Sequence, residues 1–286
     1  GIVLATGRLE FGGRQDRAIL RHLDRAPVEF VLFIADVAYA VARDAVHAVA
    51  HLHQAFLVGQ ADLAADDDLA KARRERVWTT QLAALKTDQV TALSTSGLRG
   101  LAVSQLQALS TDKLSLLSES QLNALSSEQI SGLQTSQIAG LQTAQISQLS
   151  ASQLMAMSTA QMAALRTEQV AAIETADLAG LTVLDMQALS TEQVAALTTA
   201  QIPSMSALQV GALTSNQIAG LDSAQLHALT TAQLAALTTD QLPSMSATQI
   251  QALTATQMGL LSTEQITSLT PAEITAMSST QIISLS

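Results

Sequence analysis

The sequence predicts a mainly α-helical solenoid of short capped helices, and three observations predict it. Residues 79–286 divide into 26 consecutive octads of the pattern T-x-Q-[LIVM]-x-[AGS]-L-[ST], without an insertion. Two apolar positions three residues apart, such as Val194 and Leu197, persist through every octad. Ser, Thr or Asp ends 20 of the 26 octads, three residues before the next octad's glutamine position, which repeats a helix-start signature along the array.

The octad period discriminates between conformations. In one continuous α-helix equivalent leucines would advance about 80° per octad and circle the cylinder, so a single long helix is excluded. In a flat strand the apolar spacings of three and five fall on opposite faces, which suits only a sheet buried on both sides. Short helices account for every position. In Leu189-Ser190-Thr191-Glu192-Gln193-Val194, Ser190 and Gln193 form a capping box, and Leu189 and Val194 form the hydrophobic staple that accompanies it. The same devices recur at Thr198/Gln201 and Ser262/Gln265. A tightly wound β-solenoid is the alternative, favoured by the Thr, Val and Ile content and disfavoured by this capping logic.

Proline and the small residues fit the same frame. Pro271 follows Thr270 and so takes the first helical position, where its missing amide hydrogen costs nothing. Pro203 and Pro243 fall late in their octads, where a short helix is already ending. The position before the terminal Leu is small in 23 octads, as expected where neighbouring chain segments approach closely. Gly100, Gly140, Gly180 and Gly220 add a 40-residue period, which is either one superhelical turn of five octads or a duplicated segment.

Residues 1–78 are of another kind and form a separate, non-repeat region. They hold all six aromatic side chains, Phe11, Phe30, Phe33, Tyr39, Phe56 and Trp78. The region is expected to be helical, with one or two helices over residues 27–57 and a solvated helix over 61–76. In the latter, Asp62 and Asp66 to Asp68 come early and Lys71, Arg73, Arg74 and Arg76 late, matching the helix dipole. This region is placed to cap the first repeat.

Composition narrows the function classes. With 13% charged residues and no Cys, the chain has neither a disulfide framework nor a thiolate site. Of the formal charge of -10, the array carries most, and an acidic array repels phosphate, so nucleic acid and anionic membrane are poor partners. The most apolar run, residues 30–42, is too short to span a bilayer and contains Asp36, so no membrane insertion is expected. No signal-peptide pattern stands at the start.

No catalytic, cofactor-binding or metal residue is assigned. Asp44, His47 and His51 share one helical face, with His53 nearby, and such a set can hold a divalent ion. Ala48 stands where the zincin pattern needs Glu, so an amphipathic helix face is the favoured reading of the cluster. The glutamines read as capping groups, since Gln has no acid or base chemistry near neutral pH. The Ser and Thr residues read as caps because only His227 is available in the array as a base. Acids before the glutamine position, such as Glu168 and Glu192, sit in the first helical turn, where negative charge is favoured.

Runs such as Leu229-Thr230-Thr231-Ala232-Gln233-Leu234-Ala235-Ala236-Leu237 resemble the low-complexity L-T-T-x-Q-I-x-A-L arrays of large bacterial proteins. The resemblance covers residues 79–286 and implies extracellular or cell-surface placement with a scaffold or adhesive role. The expected function is therefore a non-enzymatic stalk, spacer or adhesin segment. The alternative is a solenoid module that binds a peptide or glycan. Ile282, Ile283 and Leu285 in the final octad add an expectation of further repeats or of end-to-end stacking on another copy.

Overall fold

The computed structural model describes residues 2–5, 8–11 and 79–285. The chain divides into two compact units, Gly1–Leu109 with Leu116–Leu125, and Ser110–Ser115 with Ser126–Ser286. The helices expected over residues 27–57 and 61–76, the Asp44/His47/His51/His53 cluster and the proposed N-terminal cap lie outside the described residues.

In the first unit, β1 (Ile2–Ala5) and β2 (Arg8–Phe11) form an antiparallel hairpin in which Ile2 pairs with Phe11 and Ala5 with Arg8. These eight residues of the region expected to be helical are strands instead, a departure that the four alternating residues Arg8-Leu9-Glu10-Phe11 signal only weakly beside the repeat. The octads of this unit are helical, for example Thr87–Thr91, Thr95–Arg99 and Glu119–Asn123. Its coils are tied where Arg99 Nε donates to the Ala124 carbonyl at 3.0 Å and Gln121 Nε2 donates to the Leu93 carbonyl at 2.6 Å.

The second unit is an α-solenoid, as the octad pattern predicts, and its octads are not β-strands. Its α-helices are four to six residues long, one per octad. A typical unit begins at Ser126, whose carbonyl accepts from the Ile130 amide at 3.0 Å, and closes with Leu133 N–H on the Ile130 carbonyl at 3.1 Å. Each cap residue is extended, as at Ser158 with φ -74° and ψ 158°, and this resets the chain direction before the next helix. The octads of Pro203 and Pro243 tighten to 3₁₀ turns, Ile202–Ser204 and Leu242–Ser244, while Pro271 takes the first turn of Pro271–Ala276 as expected. Both apolar rows are buried through most of the unit, with Ile130, Ile138, Val194 and Ile218 wholly inaccessible and Leu133, Leu197 and Leu221 nearly so, while in the last two octads Ile274 and Ile282 are 46% and 51% exposed.

The coil length follows from the bonds between turns. Side chains reach backbone carbonyls 25, 28 and 31 residues away, as in Arg166 to Leu141, Gln161 to Leu133 and Gln161 to Ile130. One turn therefore takes between three and four octads. The 40-residue glycine period is five octads and is not a superhelical turn, which leaves sequence duplication as its origin.

Small residues are needed for space at particular glycines. A Cβ on Gly140 would stand 2.8 Å from Thr111 Cβ, and one on Gly220 would stand 2.6 Å from Thr191 Cγ2. At Gly211 the obstacle is the Ala236 carbonyl oxygen, 2.7 Å from the same point. The close approach inferred for the position before the terminal Leu is thus to a threonine of the adjoining coil at Gly140 and Gly220.

Candidate functional site

The feature that organises the array is a buried row of glutamines. Gln161 sits at the third position of its helix with 2% of its surface exposed. Its Oε1 accepts the Ser158 amide at 2.8 Å, and its own amide donates to Ser158 Oγ at 3.2 Å, completing the capping box. Its Nε2 then donates to the carbonyls of Ile130 at 2.9 Å and Leu133 at 2.7 Å, in the preceding turn of the coil. One planar amide thus satisfies an orphan N–H at a helix start and carbonyls at the end of another helix.

The arrangement repeats with little variation. Gln201 bonds Thr198 N–H, Val170 O and Ile173 O; Gln217 bonds Thr214 N–H, Met186 O and Leu189 O. Where the cap residue has no suitable hydroxyl, the glutamine arm persists, as at Lys86, Ala102, Gln142 and Arg166. Capping was legible in the sequence. The bonds to the preceding coil were not, because an eight-residue pattern says nothing of which residues lie 28 and 31 positions apart in space.

Departures from glutamine change the chemistry. Asp185 Oδ2 accepts from the Thr182 amide at 2.9 Å and hydroxyl at 2.7 Å, so it keeps the cap. A carboxylate has no hydrogen to offer the carbonyls of Leu154 and Met157 at the corresponding places one turn back. Glu273 is 3% exposed and likewise keeps the cap through Oε2, while its Oε1 is buried with no hydrogen-bond partner. At Gly97 only the Ser94 hydroxyl serves the helix start, with no side chain to reach back.

Acids at the helix starts are held as the dipole argument expects. Hydrogen bonding by its own backbone amide keeps Glu168 below its usual range against the opposing effect of desolvation, with the Thr167 hydroxyl and then the Arg166 charge adding to the fall. Glu192 is lowered likewise, by its backbone amide and then Ser190. Asp177 moves the other way: burial raises it, and the neighbouring Glu174 adds to the rise. His227 is exposed at the end of the helix Ser223–His227.

Four overlapping segments, residues 138–172, 170–207, 196–223 and 208–239, match the ALTTAQ repeat family. The matched stretch lies in the second unit and includes two of the departures from glutamine, Asp177 and Asp185. No curated protein shows significant similarity to the chain.

Proposed function

We propose that the array is a non-enzymatic structural and interaction segment, a stalk, spacer or adhesin region of a bacterial protein displayed at or beyond the cell surface. One observation carries this reading: the conspicuous polar side chains of the repeat, the glutamines, are buried and spent on holding coil to coil. The repeated hydroxyls at Ser126, Ser158 and Thr230 are likewise spent on helix starts. The match to the ALTTAQ repeat supports a repeat protein. In this role the outer face meets a protein or glycan surface, or a further copy of the chain. Among the described residues, no helix is long and apolar enough to cross a membrane.

Small-angle scattering of the full chain tests the spacer reading. A radius of gyration well above the about 19 Å of a globule of this length is expected, and a value near that figure would overturn it. Surface placement is tested separately by protease treatment of intact cells, which is expected to digest the array while a cytosolic marker survives.

A second reading, a binding module for a peptide, is favoured by the large apolar side chains exposed at Leu184 and Leu208, where a pure spacer has no use for them.

A further inference from the structure

At the octad position before the glutamine, the outer face of the repeat carries a large apolar side chain in two octads. The position before the glutamine is polar or Ala in 24 of the 26 octads, and the two exceptions are Leu184 and Leu208. These leucines are three octads apart, the separation at which consecutive turns touch, and their helices Val183–Ala188 and Ala207–Ala212 pack together. Leu184 is 65% exposed and Leu208 79% exposed.

Two further apolar side chains join them. In the register that sets Ser127 Oγ on the Ser152 carbonyl and Ser215 Oγ on the Asp240 carbonyl, each 25 residues on, Val183 faces the backbone of Leu208. Val183 is itself partly exposed. Met155, 46% exposed, projects from the turn before, where its sulfur lies 3.7 Å from the place a Cβ on Gly180 would occupy. Three successive turns thus present Met155, then Val183 and Leu184, then Leu208.

The charge around this patch has one sign. The helices Ala151–Met155, Thr175–Gly180, Val183–Ala188 and Ala207–Ala212 contain no Lys, Arg or His. Glu174 stands just before the helix Thr175–Gly180, which carries Asp177, and Gln209 beside Leu208 donates to the Leu178 and Leu181 carbonyls at that helix's end. The nearest cation in sequence, Arg166, is paired with Glu168 at 3.2 Å.

We infer that Met155, Val183, Leu184 and Leu208, with Glu174 and Asp177 beside them, form a docking surface for a basic amphipathic segment of another protein. Apolar side chains of the partner cover the four residues, and its Lys or Arg side chains meet the two carboxylates. The surface is independent of whether the array as a whole is a spacer.

The probe is a synthetic helical peptide of Leu and Lys with one apolar face, titrated into the full chain by fluorescence anisotropy. Binding is expected, with at least a tenfold loss in Leu184→Thr/Leu208→Glu, which restores residue types common at that position, and a comparable loss in Glu174→Gln/Asp177→Asn at low salt. Unchanged circular dichroism in both variants, with a melting temperature no lower than the parent's, separates loss of docking from loss of fold. Equal binding by the leucine variant, or equal binding of a Leu/Glu peptide, would overturn the proposal. So would a concentration-dependent dimer, seen by sedimentation and lost in the leucine variant, since the occupant would then be a second copy.

Discussion

The side-chain amide of Gln201 donates to the carbonyl of Ile173, 2.7 Å away and 28 residues earlier, while its oxygen accepts the Thr198 amide at 2.8 Å. The residue therefore belongs to two turns of the coil at once. Gln201→Leu fills the space but removes both bonds and the third to Val170 at 3.0 Å. Buried polar groups left unsatisfied cost about 1–3 kcal/mol each, so a loss of about 3 kcal/mol is expected by chemical denaturation. An exposed substitution such as Thr199→Ala, two residues before Gln201, serves as the neutral comparison.

Glu273 permits the opposite change. Its Oε1 is buried without a partner where a glutamine would present Nε2, and the carbonyls of Leu242 and Met245 stand 31 and 28 residues back in the register. Glu273→Gln supplies the missing donor and keeps the bond to the Thr270 amide through its oxygen. A gain of about 1 kcal/mol is expected, measured by thermal and chemical unfolding at neutral pH. A variant less stable than the parent would show that the carboxylate is accommodated in some other way.

The cap half of this network could be read from residue types because it is local: Ser158 and Gln161 are three residues apart, and the box dictates their partners. The coil half could not, since it depends on how far each extended cap residue, such as Ser158, swings the chain between helices. The glycine period of 40 residues pointed away from the true contact spacing of 25 to 31. Leu184 and Leu208 were hidden for a different reason. Leucine is the commonest core residue of the array, and only their phase, one place before the glutamine position, separates them from the buried Leu181 and Leu213.

Asp177 gives the array a pH dependence of definite sign. Burial, helped by Glu174, raises its carboxyl above the ordinary value of 3.8, so the folded chain holds this proton more tightly than the unfolded one. The helices packed against Thr175–Gly180, at Ala151–Met155 and Ile202–Ser204, carry no ionisable side chain. The contribution to stability is therefore fully present below pH 3.8 and is lost as pH rises through the raised folded value. Asp177→Asn is expected to remove this fall from a plot of stability against pH, and to leave the variant more stable than the parent at neutral pH. Glu168 and Glu192 act in the opposite direction, since lowered carboxyls lose their contribution as pH falls below 4.5. The test is accordingly the difference between variant and parent, not the parent's curve alone.

Glycines in equivalent octad positions should respond differently to the same substitution. Ala in place of Gly within a helix gains about 0.5–1 kcal/mol from the lower entropy of the unfolded chain, provided that the new carbon fits. At Gly180 it fits, with its nearest neighbour, Met155 Sδ, at 3.7 Å, so Gly180→Ala is expected to stabilise. At Gly220 the new carbon would stand 2.6 Å from Thr191 Cγ2, and the clash outweighs the gain, giving a net loss of about 1–2 kcal/mol. Thr191→Ser deletes the offending methyl while keeping the hydroxyl. The double variant Gly220→Ala/Thr191→Ser should therefore recover most of that loss, whereas Thr191→Ser alone should change little. A double-mutant cycle by urea unfolding measures the coupling, and additive effects would mean that the two residues do not meet across the coil.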